Sequence, residues 1–186
     1  MVRGGIIINK QVEVLLRKLE AEQDKKYFFH LKPDAGRLLH LLVKMKKPKA
    51  VLEVGTGEGY STLLIASASP STQVYTIEVN PDKISVAKKN FHAAGLKNIH
   101  LLEGDALEIL KHFNKQVGMI FLDAMKRQYL QYLRLAEKNL AASGVVVADN
   151  IISHSEKVQD YVAYVKKHYS SITLHVGAGL ELSVKG

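Results

Sequence analysis

The chain has 186 residues, of which 47% are hydrophobic and 24% charged; this ordinary globular composition excludes a disordered chain and predicts a single domain over 1–186. There is no cysteine, so disulfide scaffolds, thiolate metal sites and cysteine nucleophiles are excluded, any metal must use oxygen or imidazole ligands, and a cytoplasmic setting is expected. No apolar run approaches the ~20 residues of a membrane helix, the start at Met1 lacks a secretory pattern, and no membrane association is expected. The net charge of +8 favours polyanions but is also common in soluble enzymes.

In chain order, residues 10–26 carry Val12, Leu15, Leu16 and Leu19 at helical spacing, and residues 33–43 open with Pro33 and carry Leu38, Leu39, Leu41 and Leu42. These two amphipathic helices form a short N-terminal cap (1–46) on a core over 50–186, with residues 30–33 as the break between them. From residue 50 short β-branched runs alternate with longer amphipathic stretches, which predicts βαβ units with helices on both faces of a sheet. The expected strands are 50–55, 74–79, 99–103, 118–123 and 145–149, nearly continuous apolar runs suited to burial on both sides. Helices are expected over 60–68, 82–94, 106–113 and 127–141, with Pro81 in a first turn and Gly95 as a C-terminal cap. After a helix at 155–168, alternation around Gly177, Ala178 and Gly179 predicts a closing hairpin. Its last strand runs antiparallel to its predecessor, giving an α/β fold with a seven-stranded mixed sheet.

The first strand leads into Glu53-Val54-Gly55-Thr56-Gly57-Glu58-Gly59-Tyr60-Ser61, a glycine-rich turn where backbone and helix N-terminus can approach a ligand closely. Glu78 closes the second strand at the position where a carboxylate accepts both hydroxyls of a ribose. Together they point to a nucleoside-bearing cofactor, either a nicotinamide dinucleotide or S-adenosylmethionine; the contracted GxGxG spacing and the hairpin ending lean toward the latter. Asp105 opens the helix after the third strand and suits either a cap or a contact to an adenine amino group, with the amide of Ala106 beside it.

Asp123, Asp149 and Asn150 follow two strands that should be neighbours, at the carboxyl ends where open α/β sheets bind ligands. Two carboxylates and an amide oxygen suit Mg²⁺ with positions left for water or substrate, although each residue alone also suits a cap or turn. Lys126, three residues after Asp123, reads either as a solvated lysine or as an amine over the same site. A metal and a sulfonium nearby would lower its pKa toward that of a general base. Glu181, on the last strand, reads from its surroundings as an exposed strand residue.

At VLEVGTGEGYS, YTIEVNPDKI, LEGDALEIL, FLDAMKRQYLQYL, GVVVADN and GLELSVKG the chain resembles the metal-dependent O-methyltransferases of the catechol and caffeoyl-coenzyme A type, over about 29–186. The resemblance implies a Rossmann-like class I methyltransferase fold. It further implies that Glu53, Gly55, Gly57 and Ser61 hold the methionine part of S-adenosyl-L-methionine, Glu78 its ribose, and Asp105 with Ala106 its adenine, under a segment containing Leu31. By the same resemblance Asp123, Asp149 and Asn150 bind Mg²⁺, Lys126 is the base, and Glu181 contacts the second hydroxyl of the acceptor. The chain departs from the catechol enzymes at Ala124 and Met125, where they carry histidine and tryptophan, and it has no tryptophan anywhere; this counts against a small catechol.

The expected activity is Mg²⁺-dependent methyl transfer from S-adenosyl-L-methionine to a hydroxyl of a small catechol-like or vicinal-oxygen acceptor. The alternative acceptor is a hydroxylated nucleoside of transfer RNA, as in some relatives, with Lys25, Lys26, Lys44, Lys46, Lys47, Lys49, Lys88, Lys89, Lys166 and Lys167 tracking phosphates. A non-catalytic cofactor-binding module is the other alternative. A homodimer is common in such families, and the 10–26 stripe would serve one or pack on its own sheet.

Overall fold

In a computed structural model, residues 6–22 and 31–186 are described. Two helices, α1 (Lys10–Glu22) and α2 (Pro33–Lys46), precede the sheet. Residues 23–26 of the expected first helix, and residue 30 of the expected break, lie outside the described residues. The remaining elements are β1 (Ala50–Val54), α3 (Tyr60–Ala68), β2 (Gln73–Glu78), α4 (Pro81–Ala94), β3 (Ile99–Glu103), α5 (Ala106–His112), β4 (Val117–Leu122), α6 (Tyr129–Ala136), β5 (Leu140–Ala148), α7 (Gln159–His168), β6 (Ser170–Leu174) and β7 (Leu180–Val184).

The seven strands form one sheet in the order β3-β2-β1-β4-β5-β7-β6. The first five are parallel, and β7 inserts antiparallel between β5 and β6. Strand alternation divides the interior into two apolar layers. Val51, Met119, Phe121 and Val147 face α1, α2 and α3, whereas Leu52, Ile120, Leu122 and Ala148 face α5, α6 and α7. The α1 stripe of Val12, Leu16 and Leu19 is buried in the first layer, so it packs on its own fold.

Local chemistry sets the boundaries. The side chain of Asn80 caps α4 by accepting from the amides of Asp82 and Lys83, Pro81 sits in the first turn, and Gly95 ends the helix at φ 66°. Two expected helices are shorter than their apolar phase suggests. Lys126–Gln128 and Glu137–Asn139 are 3₁₀ turns flanking α6, and Ser155–Lys157 is another before α7. Residues 140–141 belong to β5, with Leu140 paired to Val117 and the register shifting before Met119 pairs Val145. Ser143 at φ 55° accommodates that irregularity.

The parallel order reverses between β1 and β4, because β1 pairs β2 on one side and β4 on the other. That switch point opens a crevice at the carboxyl ends of the strands, and the glycine turn, Asp123 and Asp149 lie there.

Candidate active site

The turn after β1 is built from glycines with backbone angles that side chains resist: Gly55 at φ 103°, Gly57 at 56° and Gly59 at 93°. A Cβ on Gly55 would stand 2.3 Å from the carbonyl oxygen of Asp123, so this glycine lets the turn touch the end of β4. A Cβ on Gly57 would meet nothing within 4 Å; its backbone borders open space, as a ligand cradle requires. The Gly57 amide donates to Glu78 Oε2 at 2.8 Å, while Glu78 Oε1 accepts from the amides of Val79 and Asn80, each at 3.0 Å. Glu78 is thereby oriented beside the turn, with carboxylate lone pairs left for hydroxyl donors.

Below this cradle Glu53 is fully buried and accepts from the hydroxyls of Ser61 and Thr62, each at 2.5 Å. Burial pushes its carboxyl up to about 7 against the pull of these hydroxyls and that of Thr76. Thr56 and Thr76 share a hydrogen bond of 2.6 Å in the same layer. Glu53 and Ser61, expected as contacts to the methionine part, therefore bond to each other and form the floor of the turn. Thr56, Thr62 and Thr76 complete that floor, and their residue type alone gave no signal. Leu31 is buried in the first apolar layer, just ahead of α2.

At the far side of the crevice Asp105 caps α5, its Oδ1 accepting from the amides of Leu107 at 2.9 Å and Glu108 at 3.2 Å. The capping role is thus present, with Oδ2 left over; Ala106 is the first residue of the helix.

The acids expected to hold a metal come together. Leu122 and Ala148 are partners in the β4–β5 ladder, so Asp123 and Asp149 leave adjacent strand ends, and the Asp149 amide donates to the Leu122 carbonyl at 3.0 Å. Asp149 is 2% exposed, and its Oδ1 is buried without a hydrogen-bond partner; its Oδ2 accepts from the side-chain Nδ2 of Asn150 at 3.2 Å. Burial first, and the charge of Asp123 second, push the Asp149 carboxyl up to about 7. A desolvated carboxylate oxygen with no donor, beside a second carboxylate and a side-chain amide, is a donor set that fits a hard divalent cation. Among the described residues no three His, Asp or Glu side chains cluster for a metal, so the set depends on the Asn150 amide as its third oxygen. Tyr129, wholly buried, braces it by donating to the Asp149 carbonyl at 3.1 Å.

Lys126 and Glu181 sit in different surroundings. Lys126 Nζ donates to Asp123 Oδ1 at 2.9 Å, with both side chains less than one-fifth exposed. The spacing brought it to the site, where its amine is held against the acid. Glu181 is 0% exposed. It pairs with Ala148 and so shares the α7 face of the sheet, where its carboxylate accepts from Ser171 at 2.6 Å and Thr173 at 2.5 Å. This overturns the expectation that it reaches an acceptor hydroxyl, and the solvent-exposed reading as well.

Two of the lysines that the RNA alternative invokes have protein partners. Lys88 is paired with Glu103 at 2.6 Å, and Lys46 donates to the Ser143 carbonyl at 2.9 Å; Lys25 and Lys26 lie outside the described residues. No helix among the described residues is long and apolar enough to cross a membrane.

Comparison with known proteins accords with this geometry. A family model described as O-methyltransferase matches residues 8–176. The chain belongs to this O-methyltransferase family. It is 36% identical over 126 residues to a catechol O-methyltransferase of Niastella koreensis, covering 64% of this chain and 57% of that protein. It is 35% identical over 136 residues to the transmembrane O-methyltransferase of Homo sapiens, covering 68% of this chain and 47% of that one. The chain thus spans about half of these curated relatives. Among solved structures, a candidate caffeoyl-CoA O-methyltransferase from Staphylococcus aureus superposes with a TM-score of 0.84 at 30% identity, over 96% of this chain and 93% of that one. An O-methyltransferase from Bacillus cereus in complex with SAH shares the fold at a TM-score of 0.81 and 23% identity, over 97% and 93% of the two chains. The Rossmann-like methyltransferase fold expected from the sequence is therefore the fold observed.

Proposed function

We propose that this member of the O-methyltransferase family transfers a methyl group from S-adenosyl-L-methionine to a hydroxyl of a small acceptor bearing neighbouring oxygens, and that it requires Mg²⁺. The observation that carries the reading is the contact of two half-sites at one point: Gly55 lies against the Asp123 carbonyl, joining a nucleoside cradle to an acid pair with an unpartnered buried oxygen. The cradle residues would bind the donor, with Gly57 offering open backbone, Glu78 its remaining lone pairs to the ribose hydroxyls, and Asp105 Oδ2 with the Ala106 amide facing the base. Asp123, Asp149 and Asn150 would hold Mg²⁺, which when bound lowers the pKa of a coordinated hydroxyl. Lys126, whose Nζ is held 2.9 Å from Asp123, is the group we assign to receive the acceptor proton at that nitrogen. Ala124 and the exposed Met125 stand where the catechol enzymes carry histidine and tryptophan, which suits an acceptor broader than a bare catechol ring.

Purified protein incubated with methyl-labelled donor, Mg²⁺ and either a pool of hydroxylated small molecules or total RNA tests the reading. Label in the small-molecule pool, abolished by a chelator and by Lys126→Met, is the expected result. Transfer to RNA instead would move the acceptor to the nucleoside alternative, and undiminished transfer in chelator would remove the metal from the mechanism.

A further inference from the structure

The two half-sites are also joined on the outside of the crevice, through contacts that local sequence gives no hint of. The start of α2 lies on the start of α3, just beyond the glycine turn: a Cβ on Gly36 would stand 2.7 Å from Leu64 Cδ1 and 3.3 Å from the Tyr60 ring. Leu31, expected over the cofactor, precedes this helix by two residues. In its first turn, Asp34 Oδ1 accepts from the Ala35 amide at 2.9 Å and Oδ2 accepts from the Gly177 amide at 3.1 Å. That second bond spans 143 residues. Gly177, at φ 61°, is pressed so close that a Cβ there would be 2.8 Å from Ala35 Cβ and 3.2 Å from Lys32 Cβ.

The same turn grips the metal loop on its other side. The Ala178 carbonyl accepts from the amides of Ile152 at 3.2 Å and Ser153 at 3.0 Å, and the Gly179 carbonyl accepts from Ile151 at 2.9 Å. A Cβ on Gly179 would meet Ile152 Cγ1 at 2.5 Å. These residues directly follow Asp149 and Asn150, and the His154 amide closes the loop onto the Asn150 carbonyl at 3.0 Å. A continuous path therefore runs from Leu31 and Asp34, through the 176–179 turn, to Asn150.

We propose that Asp34 is a positioning residue: by holding the Gly177 amide it makes the 176–179 turn a strut between the segment over the cofactor and the Asp149–Asn150 loop, so that donor and metal binding reinforce each other. The inference rests on the methyltransferase reading. It is the bond, not the charge, that does this, because the bond is what closes the path.

Calorimetry with S-adenosylhomocysteine, in the absence and presence of saturating Mg²⁺, measures the coupling as a ratio of dissociation constants. In the parent protein Mg²⁺ is expected to tighten S-adenosylhomocysteine about fivefold or more, the low end of typical coupling. Asp34→Ala should bring that ratio to within about twofold of one, whereas Asp34→Asn, which keeps an acceptor oxygen without the charge, should retain most of it. Asp34 is exposed, and an unchanged circular dichroism spectrum verifies that both variants fold. A parent-like ratio in Asp34→Ala, a ratio of one in the parent, or equal loss in both variants overturns the strut. A parent that binds neither probe overturns the methyltransferase reading itself, a result distinct from the other three.

Discussion

Replacing Glu53 by glutamine tests the electrostatics of the floor beneath the glycine turn. In the folded protein the carboxyl is held up to about 7 from an ordinary 4.5, chiefly by burial. Folding therefore retains a proton that the unfolded chain releases. The stabilisation from this proton is fully present below pH 4.5 and is lost as pH rises through about 7. At about 1.4 kcal/mol per pH unit the loss amounts to about 3 kcal/mol. For a chain of this size that is about 6–12 °C in melting temperature. Glutamine at this position is neutral at every pH and keeps one acceptor for the Ser61 or Thr62 hydroxyl, so Glu53→Gln should lack this component. Urea denaturation of parent and variant from pH 4.5 to 8, read as the difference between the two at each pH, removes the contribution of all other acids. The difference should shift by about 3 kcal/mol in favour of the variant across that range. Parallel curves for the two proteins would refute the claim that Glu53 is buried with a raised proton affinity.

Three further substitutions probe the site. Asp149→Asn should abolish calorimetric Mg²⁺ binding while leaving metal-free stability within about 1 kcal/mol of the parent, because the oxygen it neutralises has no hydrogen bond to lose; retained binding would remove Asp149 from the donor set. Gly55→Ala combines a forbidden backbone angle with a Cβ 2.3 Å from the Asp123 carbonyl, and should lower stability by more than about 2 kcal/mol in denaturant titration. Asp105→Ala removes the cap of α5, which should lower stability by about 1 kcal/mol and weaken S-adenosylhomocysteine binding at least tenfold by calorimetry; a stability change alone would leave Asp105 as a cap only.

The central sheet was legible because strands covered on both faces must be apolar throughout, as Val145, Val146 and Val147 are, and because glycine turns and acids punctuate their ends. The closeness of Asp123 and Asp149 follows from that order, and it appeared as expected. Other features depend on partners far along the chain. Leu140 continues the apolar phase of the preceding helix, so only its pairing with Val117 reveals it as strand. Glu181 alternates with Leu180 and Leu182 like any surface strand residue; burial came from α7 and from the hydroxyls of Ser171 and Thr173, which local pattern does not report. Spacing brought Lys126 to Asp123, but it did not report the hydrogen bond between them. Asp34 gave no signal in the sequence, since its bond to Gly177 crosses most of the fold.

The placement of β7 has a consequence for biogenesis. Leu180–Val184 is synthesised after the other six strands of this sheet, yet it sits between β5 and β6 and, among the described residues, supplies the sheet neighbours of β6. Until it emerges, the edge of β5, the strand that leads into Asp149, stays uncovered. A ribosome stalled before residue 180 would thus display an open, apolar sheet margin to chaperones, and the emergence of Leu180–Val184 would be the event that seals it.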